Sequence, residues 1–186
     1  MPFSILYVCT GNICRSPFAQ LLTRARLDAA LGTRADDVSV ASVGIRGMVG
    51  HPMDATAAAQ LLTRGIDADG FRARELRPRV VTEADLILTA TMAHRKLVLE
   101  AEPRGLRRTF TITEFADLAR IADPAETPQD LVAMAAGLRG RATPQSYDVP
   151  DPIGGAEDLH AQVAATIAEA LDPIIEAVVA TLTTTR

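Results

Sequence analysis

The sequence predicts an α/β domain built on a four-stranded parallel sheet with helices on both faces. Three observations lead there. Short apolar, β-branched runs alternate with segments whose apolar residues recur at helical spacing, the pattern of successive βαβ units. The length, 186 residues, suits one domain with a full core, so residues 1–186 are read as a single unit. A long, regular apolar stripe closes the chain.

The run Phe3-Ser4-Ile5-Leu6-Tyr7-Val8 is short, β-branched and aromatic, and reads as a buried first strand. Ser16-Pro17 then supplies an N-cap and a first helical position. Phe18, Leu21, Leu22, Ala25 and Leu27 carry a helix over 17–31, ending near Gly32. Residues 38–43 form a second strand, and 54–64 an Ala- and Leu-rich helix stopped by Gly65. Residues 85–89 form a third strand, followed by a helix over 92–100 that Pro103 halts. A fourth strand over 109–112 leads into a helical stretch around 114–120. The last helix shows the stripe Leu159, Val163, Ile167, Leu171, Ile174, Val178, Leu182, and Pro173 is expected to kink or divide it. Such a fold places its site at the C-terminal ends of the strands.

At the end of the first strand lies Cys9-Thr10-Gly11-Asn12-Ile13-Cys14-Arg15-Ser16. This arrangement gathers a thiol, a guanidinium and a row of backbone N–H groups around one phosphate-sized hollow. Loop amides converging on a helix N-terminus favour anions, and the same field favours a thiolate. Cys9 is therefore placed as a nucleophile and Arg15 as a fork for equatorial oxygens. Taken singly, Cys9 reads equally well as a buried strand-end thiol and Arg15 as a solvated helix-start cation. The strand before, the glycine within and Ser-Pro after favour the phosphate loop. Far downstream, Asp148-Val149-Pro150-Asp151-Pro152-Ile153-Gly154-Gly155 sets a carboxyl on a proline-stiffened loop. Alone that is an ordinary Asp-Pro turn. Beside a thiol nucleophile it is the acid and base that cysteine-based phosphoryl transfer needs.

Composition narrows the class. A formal charge of −4 argues against a general nucleic-acid binder. No apolar run approaches the roughly 18–20 residues of a membrane span, and the start lacks a signal-peptide pattern. The two cysteines, Cys9 and Cys14, share one loop, unlike a disulfide scaffold or a four-ligand zinc site. A cytoplasmic, reducing setting fits best. Only Lys96 represents lysine among the 19 basic residues, a bias attributable to a GC-rich genome.

With these motifs in place, the chain resembles the low-molecular-weight protein tyrosine phosphatases along almost its full length. The stretch from Val8 to Ser16 matches the family's phosphate loop, and Asp151-Pro152 stands where its general acid belongs. Ser42-Val43-Gly44, Gly50-His51-Pro52-Met53-Asp54, Arg72-Ala73-Arg74 and Glu83-Ala84-Asp85-Leu86-Ile87-Leu88 also fit. The resemblance implies a flavodoxin-like winding and hydrolysis of protein phosphotyrosine through a cysteinyl-phosphate, with a phosphorylated protein as partner and no cofactor or metal. It makes Cys9 the nucleophile, Arg15 the transition-state clamp and Asp151 the acid and base. Thr10, Gly11, Asn12, Ile13 and Cys14 would line the phosphate site. Asn12 would hold the loop's shape, and Ser16 would hydrogen-bond the thiolate. Cys14 would either pair reversibly with an oxidised Cys9 or remain a packed thiol.

The chain also departs from the family. Met48 and Ile153-Gly154 stand where aromatic walls usually line the cleft, which removes stacking worth about 0.5–1.5 kcal/mol. The Asp-Pro-Ile-Gly-Gly run is similar to that of the family's protein-arginine phosphatases, yet Ile13 replaces their usual threonine; an apolar group in the loop suits a phenyl ring, so Ile13 weighs more. Phe71 replaces a histidine that braces the loop in many relatives, which predicts an incomplete bracing network around Asn12 and Ser42. Residues 122–147, with a helical stretch over 129–138, are an addition, read first as a tolerated surface excursion and otherwise as a shaper of access or a partner site. His51, His94 and His160 read as surface or satisfied histidines, the Arg72 to Arg79 cluster as a solvated face, and Tyr147 as packing or rim. Two other readings stay open: arsenate reduction, although no relay cysteine follows Cys14, and a non-catalytic phosphoresidue-binding or redox-sensing module.

Overall fold

The computed structural model describes residues 1–184. Four strands, β1 (Phe3–Cys9), β2 (Val38–Gly44), β3 (Leu86–Thr89) and β4 (Thr109–Thr111), form one parallel sheet in the order β2-β1-β3-β4. Among the described residues seven α-helices surround it: α1 (Arg15–Leu31), α2 (Ala55–Leu62), α3 (Pro78–Glu83), α4 (Met92–Ala101), α5 (Ile112–Ile121), α6 (Pro128–Leu138) and α7 (Glu157–Thr184). Chain order reverses across the sheet at β1, whose neighbours are β2 and β3, and Cys9 pairs with Gly44 at its C-terminal end. That reversal is the crevice where open α/β sheets bind ligands.

Both faces of the sheet are covered, which is why β1 reads as a continuous apolar run. Ile5 and Tyr7 join the larger core with Phe18, Leu27, Phe110, Phe115, Ile167 and Leu171. Leu6 and Val8 point to the other face, into a smaller cluster with Val43, Val81, Ile87 and Val98. Tyr7 is fully buried and its hydroxyl lies 2.8 Å from Thr23 Oγ1, so its polar end is satisfied; burial pushes its ionisation well above the usual tyrosine range.

Boundaries follow local chemistry. Ile112 belongs to α5 and not to the fourth strand, because Thr111 caps that helix: its hydroxyl accepts from Glu114 N (3.1 Å) while Glu114 Oε2 accepts from Thr111 N (3.3 Å). Asp54 caps α2 in the same way, Oδ1 accepting from Thr56 N and Ala57 N at 3.0 Å. The short α3, opened by Pro78, had no apolar period to announce it. Pro173 does not divide α7, which runs unbroken from Glu157 to Thr184. Near the proline, Arg26 donates to the Ala168 carbonyl (3.0 Å) and pairs with Asp172 (2.8 Å), tying α7 to α1.

Residues 122–147 are no surface excursion. α6 buries Leu131, Val132 and Ala135 in the main core. Just beyond it, Arg139 stacks over Phe110 at 4.2 Å, donates to the Thr109 carbonyl (2.8 Å) and sits 3.2 Å from the buried Glu114 carboxylate. The segment is thereby clamped to the edge of the sheet at β4. Arg139→Ala should lower the folding free energy by about 3 kcal/mol, because it strands the Glu114 charge. Arg79→Ala, which breaks the exposed pair with Glu83, should leave the urea midpoint unmoved. Equal effects of the two variants in urea titrations would contradict this account.

Candidate active site

Cys9 ends β1, and the chain turns at once into α1. The carbonyls of Cys9, Thr10, Gly11 and Ile13 accept from the amides of Ile45, Arg46, Met48 and Asp54 at 2.8–2.9 Å. With its carbonyls engaged by the 44–54 segment, the loop turns its own N–H groups toward the cleft. Gly44 allows this close approach, since a Cβ there would lie 2.5 Å from the Thr10 carbonyl oxygen and 2.9 Å from Asn12 N.

Asn12 is the one non-glycine with positive φ among the described residues, at 56°. Its side chain holds that strained turn: Nδ2 donates to Ser16 Oγ (2.9 Å) and Ser42 Oγ (2.7 Å), and Oδ1 accepts from Arg74 N (2.8 Å). The network expected to be incomplete is closed. Ser42 donates onward to Gln20 Oε1 (2.7 Å), so a carboxamide from α1 ends the chain of hydrogen bonds, and the apolar Phe71 is buried in the core instead.

Ser16 is not the N-cap. α1 begins one residue earlier, at Arg15, after Cys14, which makes no side-chain cap. The Ser16 hydroxyl is spent inside the loop, 2.9 Å from Cys9 Sγ and 3.3 Å from the Val43 carbonyl. No side chain therefore competes for the first amides of α1, which remain available to an anion.

Arg15 is only 4% exposed. Its Nη1 donates to the Val149 carbonyl (3.1 Å), and its Nη2 meets Asp151 Oδ2 at 2.8 Å. Its Nε is buried with no hydrogen-bond partner among the described residues, a donor suited to an oxyanion. Cys9, Thr10, Gly11, Ile13, Cys14, Arg15, Met48, Asp151 and Ile153 line one cleft of about 220 Å³. Sequence and structure thus bring the expected residues together, with Asn12 and Ser16 beneath them. Met48 and Ile153 are half-exposed at the mouth, and Tyr147 ties its hydroxyl to the Ala142 carbonyl (3.1 Å).

Two participants escaped the sequence reading. Arg46, an exposed cation, forms part of the cleft wall; its signal was its place two residues beyond Gly44. His94 is satisfied as expected, but its partner is the loop: Nε2 lies 2.9 Å from Thr10 Oγ1, and Nδ1 lies 2.8 Å from Thr91 Oγ1. Its signal was its place in the first turn after β3, beside the end of β1. Burial, then the charge of Arg15, pushes His94 down to about 4, so it is neutral near pH 7. His51 is exposed, whereas His160 is buried and its Nδ1 has no hydrogen-bond partner among the described residues, so that nitrogen is not satisfied as expected.

Comparisons with known proteins give the family of the chain. Residues 4–136 match the family model described as low molecular weight phosphotyrosine protein phosphatase, a span that includes Cys9 and Arg15 and stops short of Asp151. Over 140 residues the chain is 36% identical to the low molecular weight protein-tyrosine-phosphatase Etp of Escherichia coli K12, covering 75% of this chain and 89% of that one. Over 137 residues it is 31% identical to the protein-arginine-phosphatase of Geobacillus stearothermophilus, covering 73% and 87%. The solved low molecular weight protein tyrosine phosphatase of T. tengcongensis superposes with a TM-score of 0.72 at 28% identity, covering 94% of this chain and 98% of that one.

His94 gives the fold a pH signature. Its ordinary value is 6.5 and its folded value about 4, so between them the unfolded chain binds more protons. Its contribution to stability is whole above 6.5 and drains as pH falls toward 4, at up to about 1.4 kcal/mol per pH unit. Urea titrations across that range should show a shallower pH slope for His94→Gln than for the parent. An identical slope in both would refute the assignment.

Proposed function

The chain belongs to the low molecular weight phosphotyrosine protein phosphatase family, and we propose that it hydrolyses protein phosphotyrosine through a cysteinyl-phosphate intermediate. The observation that carries this reading is the 2.9 Å approach of Ser16 Oγ to Cys9 Sγ, in a loop closed by a buried Arg15 that holds Asp151 at 2.8 Å. In this reading the Cys9 thiolate attacks phosphorus in line, and the loop amides with Arg15 hold the equatorial oxygens as charge develops. The incoming phosphate takes over Arg15 and frees Asp151 from its ion pair. Asp151, as the acid, protonates the leaving oxygen; as the carboxylate it then takes a proton from water attacking the cysteinyl-phosphate. The Ser16 hydroxyl donates to the sulfur and eases its departure in the second step. His94, neutral and bonded to Thr10, steadies the loop beside Arg15. A thiolate nucleophile works in a reducing compartment, which supports a cytoplasmic location.

Substrate choice follows from the mouth of the cleft. Met48 and Ile153 offer apolar cover for a ring, and Ile13 adds an apolar edge within the loop. The likeness to the protein-arginine-phosphatase of Geobacillus stearothermophilus supports phosphoarginine as the second reading. Arsenate reduction is disfavoured, because Cys9 and Cys14 are the only cysteines and neither lies downstream as a relay.

On matched phosphotyrosine and phosphoarginine peptides, with Cys9→Ser as the blank, kcat/KM should favour phosphotyrosine tenfold or more. Preference for phosphoarginine would reverse the assignment. Asp151→Asn should lower kcat on phosphotyrosine by about 10²–10⁴-fold, and by less on an aryl phosphate whose phenol is weakly basic. An equal loss on both substrates would remove Asp151 from the role of acid.

A further inference from the structure

We propose that Cys14, Asp54 and His160 form a binding site for a zinc-like divalent cation on the α2–α7 side of the phosphate loop. The three come from separate elements: Cys14 precedes α1, Asp54 caps α2, and His160 lies in the first turn of α7. One sulfur, one carboxylate oxygen and one imidazole nitrogen lie within 4.8 Å of one another. Zinc bonds of roughly 2.3 Å to sulfur and 2.0–2.2 Å to nitrogen and oxygen need only a small contraction of that triangle.

A second observation points to a ligand. His160 is 5% exposed, and its Nδ1 has no hydrogen-bond partner among the described residues. The nearest carboxylate oxygen, Asp54 Oδ1, is 3.7 Å away, too far for a hydrogen bond and already occupied by Thr56 N and Ala57 N. A buried polar atom left in that state is costly. A cation between the three residues accepts the imidazole lone pair and removes that cost. Cys14 and His160 also border a small, largely apolar cavity with Phe18 and Val163, which Asp54 does not line, so the ion's place is the ligand triangle itself. Asp54 is partly exposed and gives a way in.

Charge also balances. The groups facing Cys14 are Asp54, Cys9, Asp151 and Arg15. Binding expels the thiol proton: Cys14–SH plus the dication gives the metal thiolate plus a released proton. Cys14 thiolate and Asp54 carboxylate then neutralise the dication, and Arg15 is already offset by Asp151. Affinity should rise with pH, with one proton released per ion. An ion seated there ties the phosphate loop to α2 and α7 and withdraws Cys14 from thiol chemistry.

The test uses the full chain carrying Cys9→Ser, which removes the other thiol. Titrated with Zn²⁺ against a chromophoric chelator, it should bind one equivalent, with proton release seen as a dependence of the binding heat on buffer. His160→Gln and Asp54→Asn in that background should each weaken binding by about tenfold or more. Co²⁺ should give a sulfur-to-cobalt charge-transfer band that Cys14→Ser abolishes. The cobalt spectrum of the Cys9→Ser protein decides the matter even if a histidine variant fails to fold. No stoichiometric binding, binding unchanged by His160→Gln, or a cobalt complex without the thiolate band would overturn the proposal.

Discussion

The left-handed turn at Asn12 is the constraint on which the rest of the site depends. A loop that must aim successive N–H groups inward has to send its carbonyls outward and reverse direction within a few residues. That geometry forces one residue into positive φ, and Asn12 accepts it because its carboxamide bonds Ser16, Ser42 and the Arg74 amide at once. Each of those partners serves a second purpose. Ser16 reaches Cys9, Ser42 reaches Gln20, and the Arg74 guanidinium donates to the Ser42 carbonyl (3.1 Å). The loop's conformation and its chemistry share the same hydrogen bonds.

Electrostatics at the site form a compensated set. Arg15 stands at a helix N-terminus, where a buried cation is unfavourable unless an anion answers it. In the free protein Asp151 supplies that anion at 2.8 Å from across the cleft. A phosphate monoester carries the same kind of charge, so in the proposed mechanism it would take that internal partner's place at Arg15. His94 stays neutral against Thr10 first because it is buried and then because a further positive charge beside Arg15 would be repelled.

The far edge of the sheet shows a similar economy. β4 is only Thr109–Thr111, a short edge strand, and Arg139 meets it by stacking on Phe110 and donating to the Thr109 carbonyl. The segment carrying Arg139 then leads through Val149, whose amide bonds the Ala90 carbonyl at the end of β3, into the Asp151 loop. The position of Asp151 therefore depends on how well residues 122–147 pack.

Local patterning was enough to predict the parallel sheet, most helices and the gathering of Cys9, Arg15 and Asp151, because alternation of period and a strand–loop–helix motif are properties of neighbouring residues. Ser16 was misread for the same reason: its local habit of capping was overruled by Cys9 claiming the serine hydroxyl, and Pro173 sits inside an undivided α7. What only the tertiary structure decided are relations across distant segments. Gln20 completes the Asn12 network in place of a missing histidine, His94 reaches Thr10 from 84 residues away, and Cys14, Asp54 and His160 meet although nothing in their spacing announces it. Side-chain contacts of that kind depend on the angle at which helices cross the sheet, which no single segment encodes.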